Sequence, residues 1–124
     1  MSGIEFLLDT NVVIGLLKSH PPAVALVEQA GMTLERAAIS QITRMELLGY
    51  PQLTDAEDVA IRNLLAACRV LMIDERIEAE AIRLRRGGAL KLPDAIVAAT
   101  ARITEARLLT LDQRLVQSVA TLSG

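Results

Sequence analysis

Four acidic residues are placed so that their carboxylates could act together. Asp9 and Asp112 each follow a short apolar run that is typical of a β-strand, and Asp94 lies at the start of a predicted helix. Glu46 lies within another short predicted helix. The carboxyl ends of parallel strands form the edge at which open α/β sheets bind ligands. These positions therefore predict that the four acids converge at one sheet edge.

Each acid also has a purely structural interpretation. Asp9 is a favoured helix N-cap residue, and taken alone this is its better-supported interpretation. Asp94 and Asp112 lie where acids stabilise the N-termini of helices. Glu46 differs, because its helical position predicts that it faces inward, where an unpaired charge costs several kcal/mol. Its neighbour Arg44 points off another face of the helix and is a poor partner.

A divalent metal ion would relieve the repulsion between clustered carboxylates, which otherwise retain at least one proton. Mg²⁺ and Mn²⁺ take oxygen ligands and are usually held by a few carboxylates together with a phosphate. Such an ion activates a water and stabilises the charge that develops on a phosphodiester. Thr10, Asn11 and Thr110 stand beside the acids, where they could orient an acid or a metal-bound water. Turn and cap chemistry explains each of these three residues equally well.

The composition excludes several other kinds of site. His20 is the only histidine and Cys68 the only cysteine, so there is no histidine pair, disulfide or cysteine-based metal site. The net charge of −2 restricts nucleic-acid contacts to local positive patches. Because Phe6 and Tyr50 are the only aromatic residues, we expect no aromatic platform for single strands. Metal-assisted hydrolysis is the chemistry that the residues permit.

The predicted elements alternate between strands and helices, which indicates an α/β fold with a parallel sheet covered on both faces. Strands are predicted at residues 4–8, 37–39, 70–73 and 108–110, with Val119–Leu122 as a further edge-strand candidate. Helices are predicted at residues 12–18, 23–30, 41–48, 54–68, 75–86 and 93–105, and from 112 onward. No apolar run is long enough to span a membrane. We therefore expect residues 1–124 to form a single soluble, cytoplasmic domain.

The four acids lie in the motifs FLLDTNVVI, MEL, LPDAIVAATA and LLTLD, in this order along the chain. Together these motifs resemble the PIN domain, and in particular the toxic ribonuclease of bacterial VapBC-type toxin–antitoxin pairs. The resemblance implies a three-layer α/β/α sandwich with a central parallel sheet of four to five strands. It also implies that the four acids bind Mg²⁺ or Mn²⁺ and catalyse RNA cleavage that leaves a 5′-phosphate and a 3′-hydroxyl. Thr10, Asn11 and Thr110 match the polar neighbours of that site.

The resemblance also implies partners. Relatives form homodimers and are silenced by an antitoxin whose C-terminal segment covers the active site. The RNA substrate needs positive charge, which is concentrated shortly before Asp94. Arg86 and Lys91 are the candidate substrate contacts there, with Arg83 and Arg85 nearby. A solvated helix face with salt pairs is an alternative of about equal weight for Arg83.

Two other functions stay open at this point. Asp9 could be the nucleophile of a phosphohydrolase similar to haloacid dehalogenases. Those enzymes carry a second acid two residues later, where this chain has Asn11. The third hypothesis is a non-catalytic domain whose acids bind a metal or the basic segment of a partner.

Overall fold

Four short parallel strands form the central sheet of the computed structural model, which describes residues 3–123 and the side chains of residues 3–119. Their order across the sheet is β3-β2-β1-β4, so the first strand lies between the second and the last. The strands are β1 (Phe6–Leu8), β2 (Ala37–Ser40), β3 (Arg69–Leu71) and β4 (Arg107–Leu109). Every neighbouring pair is parallel, as the alternation of elements predicted.

Seven α-helices and one short 3-10 turn connect and cover these strands within the described residues. The helices are α1 (Thr10–Leu17), α2 (Pro21–Ala30), α3 (Gln41–Leu48), α4 (Asp55–Ala67), α5 (Glu75–Arg86), α6 (Leu92–Thr104) and α7 (Gln113–Ser123), and the 3-10 turn is Leu34–Arg36. None of these helices is long and apolar enough to cross a membrane.

Alternate residues of the central strands feed two separate apolar cores, because successive side chains of a strand point to opposite faces of the sheet. Leu7 and Ala38 pack with buried residues of α5, α6 and α7 on one face. Leu8 and Ile39 pack with residues of α1, α3 and α4 on the other. The predicted three-layer α/β/α sandwich is therefore confirmed.

The predicted edge strand at Val119–Leu122 is wrong, because these residues belong to α7. Leu115 is 1% exposed, and Val119 is partly buried against the same core. Their spacing of four residues is that of one helix face, so a helix buries both side chains where a strand would turn them to opposite sides. The sheet therefore has four strands in the described part of the chain.

The ends of β1, β2 and β4 place the residues that follow them side by side. Leu8 pairs with Leu109, and the Asp9 N–H extends this pairing by donating to the Leu109 carbonyl at 3.0 Å. On the other side of β1, Ser40 ends β2 and caps α3 through its hydroxyl, as predicted. The first residues of α1 and α3 and the segment after β4 thus meet at one sheet edge.

Candidate functional site

Asp9 lies at the centre of this edge, as the N-cap of α1. The side chain is buried, and each of its oxygens accepts a short hydrogen bond. The Thr10 N–H donates to Oδ1 at 2.8 Å, and the Thr110 hydroxyl donates to Oδ2 at 2.7 Å. Burial raises the pKa of the Asp9 carboxyl; these hydrogen bonds oppose the rise, and the negative charges of Asp94 and Glu46 add to it.

Thr110 and Asn11 tie the segment after β4 to the start of α1. The Asn11 amide donates to the Thr110 hydroxyl at 3.2 Å, and its Oδ1 accepts from the Leu111 N–H at 3.0 Å. Thr110 also accepts from the Asp112 N–H at 3.1 Å. The side chains of Asn11 and Thr110, which were predicted to stand beside the acids, therefore fix the backbone at Asp112 relative to Asp9.

The prediction that Glu46 faces inward is wrong, because the structure shows this residue exposed. The fully buried positions of α3 are Thr43 and Leu47, which are four residues apart, so Glu46 falls on a neighbouring face. Its carboxylate nevertheless turns toward the sheet edge, where the Thr10 hydroxyl donates to Oε1 at 2.6 Å. A hydrogen bond from α1, and not burial on α3, thus brings Glu46 to the site.

All four predicted acids border one cavity of about 660 Å³, which we call the acid cleft. Asp94 reaches it from the first turn of α6, and Asp112 from the segment before α7. The lining residues are Asp9, Thr10, Asn11, Ile14, Gly15, Lys18, Ser19, His20, Pro21, Glu46, Tyr50, Asp94, Leu111 and Asp112. We refer to Asp9, Glu46, Asp94 and Asp112 as the cleft acids.

Four lining residues with polar side chains were not predicted from the sequence as part of a site. They are Lys18, Ser19, His20 and Tyr50. His20 was considered only as the single histidine, and Tyr50 only as one of two aromatic residues. They are many residues distant from Asp94 and Asp112 in the sequence, so no spacing pattern connects them to those acids.

A second cavity, of about 280 Å³, adjoins the acid cleft and shares Asp94 and Asp112 with it. Arg85, Lys91 and Arg114 also line it, so we call it the basic cavity. Lys91, which was predicted to contact the substrate, therefore lies beside Asp94 and Asp112.

Two other arginines that precede Asp94 in the sequence, Arg83 and Arg86, do not line the basic cavity. Arg86 is exposed but does not line this cavity. Arg83 is paired with Glu80, which was the alternative weighed for it. The positive charge beside the acids therefore comes from Arg85, Lys91 and Arg114 of the basic cavity and from Lys18 of the acid cleft, which is paired with Glu57.

The donor atoms around the acid cleft fit a hard, hydrated cation. Within residues 3–123 no three histidine, cysteine, aspartate or glutamate side chains are close enough to hold a metal together. The cleft acids therefore do not form a closed ligand cage. Their oxygens fit an ion such as Mg²⁺, which is usually held by one or two carboxylates and a substrate phosphate and keeps several waters. The buried Asp9, whose charge has no cationic hydrogen-bond partner, is the best-placed ligand.

Comparisons with solved structures give the same fold. A chain of a toxin–antitoxin complex from Klebsiella pneumoniae is 31% identical, with a TM-score of 0.73 and 87% of each chain covered. A chain of VapBC-1 from nontypeable Haemophilus influenzae is 25% identical, with a TM-score of 0.73 over 95% of this chain and 94% of that one. A chain of FitAcB from Neisseria gonorrhoeae, 24% identical over 93% of both chains with a TM-score of 0.70, shows the fold alone.

Comparison with curated protein sequences gives no match. The family model of the PIN domain, in contrast, matches residues 6–120, which includes all four cleft acids and every strand of the sheet. The relative from Klebsiella pneumoniae, at 31% identity, agrees with this match. The chain therefore belongs to the PIN domain family.

Proposed function

We propose that this protein is the toxin of a toxin–antitoxin pair, and that it hydrolyses RNA phosphodiester bonds with the help of Mg²⁺ or Mn²⁺. PIN domains are nucleases, and the similar chain from Klebsiella pneumoniae comes from a toxin–antitoxin complex. The observation that carries the proposal is the convergence of four carboxylates, from four separate segments, on one cleft beside a basic cavity.

Asp9 and Asp94 would hold the metal ion, with Glu46 and Asp112 at the rim of the same cleft. When bound, such an ion lowers the pKa of a water and stabilises negative charge on the phosphate. The chain's own contribution is orientation. The Thr10 N–H and the Thr110 hydroxyl each occupy one oxygen of Asp9, so the carboxylate cannot rotate freely.

Glu46 is the residue that we assign to proton transfer. Its Oε1 accepts from Thr10, while Oε2 has no hydrogen-bond partner among the described residues. Because the side chain is exposed to the cleft, a water can reach Oε2 and pass a proton to it as the water attacks phosphorus. The bond from phosphorus to the 3′ oxygen would break, and the leaving oxygen would take a proton from solvent, which gives the 5′-phosphate and 3′-hydroxyl products that the resemblance implies.

The basic cavity would bind a phosphate next to the one that is cleaved. Arg85 and Lys91 form no ion pair with any described carboxylate, so their charges are available to a ligand. Arg114 is 81% exposed and its Nε lies 3.7 Å from Asp112 Oδ1, a weak contact that a phosphate can replace. This arrangement supplies local positive charge to a chain whose net charge is −2.

The proposed partners follow from the toxin assignment. An antitoxin segment would cover the acid cleft, and two copies of the chain would form the dimer expected for this kind of toxin. The proposed location is the cytoplasm, where the RNA is. A small neighbouring gene for a DNA-binding antitoxin would support this part of the proposal.

The test is RNA cleavage by the purified full chain. We expect cleavage in Mg²⁺ or Mn²⁺, none in excess EDTA, and none by Asp94→Asn. Glu78→Gln removes an exposed carboxylate of α5 that lines neither cavity, and it should cut like the unchanged protein. Full activity in EDTA, or undiminished cutting by Asp94→Asn, would overturn the proposal.

A further inference from the structure

Exposed aromatic rings are rare in this protein, and they occur in one place. The chain has one phenylalanine, one tyrosine, one histidine and no tryptophan. Phe6 is 7% exposed in the core, whereas Tyr50 is 39% exposed. His20 is exposed as well, and both His20 and Tyr50 line the acid cleft. Every ring that solvent reaches among the described residues therefore borders the cleft acids.

The backbone holds His20 at this position by a tight corner between α1 and α2. The His20 N–H donates to the Gly15 carbonyl at 2.8 Å, and Ser19 has the left-handed φ of 52°. A Cβ at Gly15 would lie 2.6 Å from the Ala23 Cβ, so only glycine permits the two helices to approach this closely. The left-handed conformation is strained for a residue other than glycine, and the corner sustains this strain while it places His20 at the cleft.

The His20 ring itself is not used by the fold. It is the N-cap residue of α2, but its side chain makes no capping hydrogen bond. Two prolines form the first turn of that helix, where there are fewer N–H groups to cap. The imidazole is therefore available to a ligand in the acid cleft.

Tyr50 occupies a comparable position at the end of α3. Its N–H donates to the carbonyl of Leu47, which is fully buried, so the backbone is anchored to the core. The phenol oxygen has no hydrogen-bond partner among the described residues. Glu46, the residue that we assign to proton transfer, is four residues earlier and lines the same cleft.

We propose that His20 and Tyr50 form a base subsite, which stacks an unpaired nucleobase next to the cleaved bond. Proteins bind single-stranded RNA by stacking splayed-out bases on aromatic rings. The rings line the acid cleft but not the basic cavity, so base and phosphate contacts are separate. The inference rests on the proposed ribonuclease function and adds the side chains that would contact one unpaired base of the substrate, since a base within a duplex does not expose its face.

Tyr50 provides a direct measurement, because the chain has no other tyrosine and no tryptophan. The Asp94→Asn protein in Mg²⁺ would be titrated with a short single-stranded RNA. It would also be titrated with the same ribose–phosphate strand without bases and with a duplex of the same sequence. We expect the single-stranded RNA to quench the Tyr50 emission. The base-free strand and the duplex should leave this emission nearly unchanged.

Ring substitutions then separate stacking from other contacts. In the Asp94→Asn background, Tyr50→Leu and His20→Ala should each weaken binding of the single-stranded RNA about tenfold. Tyr50→Phe and His20→Phe, which keep a ring, should bind it nearly as well as the parent. On the base-free strand all four variants should match the parent. The control Met72→Ala changes a side chain that is 59% exposed and lines neither cavity, and it should affect neither strand.

Two results would overturn the base subsite and leave the nuclease proposal standing. One is RNA cleavage by the unchanged protein without any quenching of Tyr50. The other is an equal loss of affinity for the base-containing and base-free strands in Tyr50→Leu and His20→Ala. Quenching by an antitoxin segment alone, with no effect of RNA, would assign the rings to a protein partner and would also reject the subsite. An unchanged protein that neither cuts nor binds RNA would reject both proposals.

Discussion

Carboxylates occur in opposite surroundings in two parts of this molecule. On α5, Glu80 accepts hydrogen bonds from Arg83 and Arg102, the latter with Nε at 2.7 Å. In the acid cleft, four carboxylates share one cavity, and the hydrogen bonds to Asp9 come from uncharged donors: a hydroxyl, a backbone N–H and the side-chain amide of Asn11. One region surrounds an acid with cations, and the other brings acids together with neutral donors.

The pKa directions express this difference. Hydrogen bonds from Arg83, followed by those from Arg102 and both positive charges, lower the pKa of Glu80 despite some burial. Burial, followed by the charges of Asp94 and Glu46, raises the pKa of Asp9 despite its hydrogen bonds. Ionised Glu80 therefore stabilises the fold, whereas ionised Asp9 costs stability that a bound cation would recover. Carboxylates in a cleft whose pKa values depart from the ordinary range are typical of functional sites.

The largest expected effect is that of Asp9→Asn. Loss of a proposed metal ligand should reduce RNA cleavage by more than the roughly 10- to 100-fold that is usual for the partners of a ligand. The free energy of unfolding should change little, because asparagine is also a good N-cap and carries no buried charge, which offsets the loss of the hydrogen bond that the Thr110 hydroxyl donates to Asp9. Cleavage rate and urea denaturation measure the two effects. A strongly destabilised Asp9→Asn protein would show that Asp9 is mainly structural.

Thr110→Val tests the neutral donors of the cleft. The change removes the hydroxyl that donates to Asp9 and accepts from the Asp112 N–H, while the side-chain shape is kept. We expect a loss of about 1–3 kcal/mol in the free energy of unfolding, because the Asp9 carboxylate, the Asn11 amide and the Asp112 N–H each lose a partner. Cleavage should fall about tenfold or more. Thr110→Ser keeps the hydroxyl and is the control; equal losses in both variants would contradict a role for these hydrogen bonds.

The sheet and two of the acids could be predicted because they depend on local patterns. The change from apolar to polar residues at Asp9 marks the end of β1, and the same change after β4 places Asp112 at the same edge. Strand pairing then brings them together whatever the rest of the chain does. The predicted start of α4 at residue 54 agrees with the structure for the same reason, because Thr54 and Glu57 form a capping box between neighbours in sequence.

The errors arose where burial depends on packing between distant segments. The face of α3 was misjudged because one of its two fully buried residues, Thr43, is polar and the exposed Met45 is apolar. The helix after Asp112 was predicted, but Val119–Leu122 was considered as an edge strand although the spacing of Leu115 and Val119 fits a helix. His20 and Tyr50 carry no local signal at all, because they enter the cleft only through the packing of α1, α2 and α3.

Metal affinity should depend on pH through Asp9. Only the ionised carboxylate binds a cation, and burial raises the pKa of Asp9, so protons compete at a higher pH than for an exposed aspartate. Calorimetric affinity for Mn²⁺ should be flat above the raised pKa and fall about tenfold per pH unit below it. An affinity that stays constant into the ordinary aspartate range would contradict a role for Asp9 as ligand. Glu78→Gln should leave this profile unchanged.

Glu80→Gln tests the other side of the comparison. Glutamine loses the charge that pairs with Arg83 and Arg102, so the free energy of unfolding should fall by about 1 kcal/mol near neutral pH. Because the folded pKa of Glu80 is lowered, its stabilising effect is present above the ordinary glutamate pKa. The effect is lost as the pH falls through that value toward the lowered one. The deficit of the variant should therefore vanish in acid, while RNA cleavage is unaffected. A deficit that persists in acid would indicate packing and not charge.

The smallest expected effect concerns a polar group with no partner. The Thr43 side chain is 0% exposed, and its hydroxyl is without a hydrogen bond in the part of the chain that the structure describes. Valine has the same shape without the hydroxyl, so Thr43→Val should raise the free energy of unfolding by up to about 1 kcal/mol. Thr43→Ala, which leaves a cavity, should lower it. If Thr43→Val is instead destabilising, the hydroxyl has a partner such as a buried water. In that case α3, which carries Glu46, is held by a further polar contact.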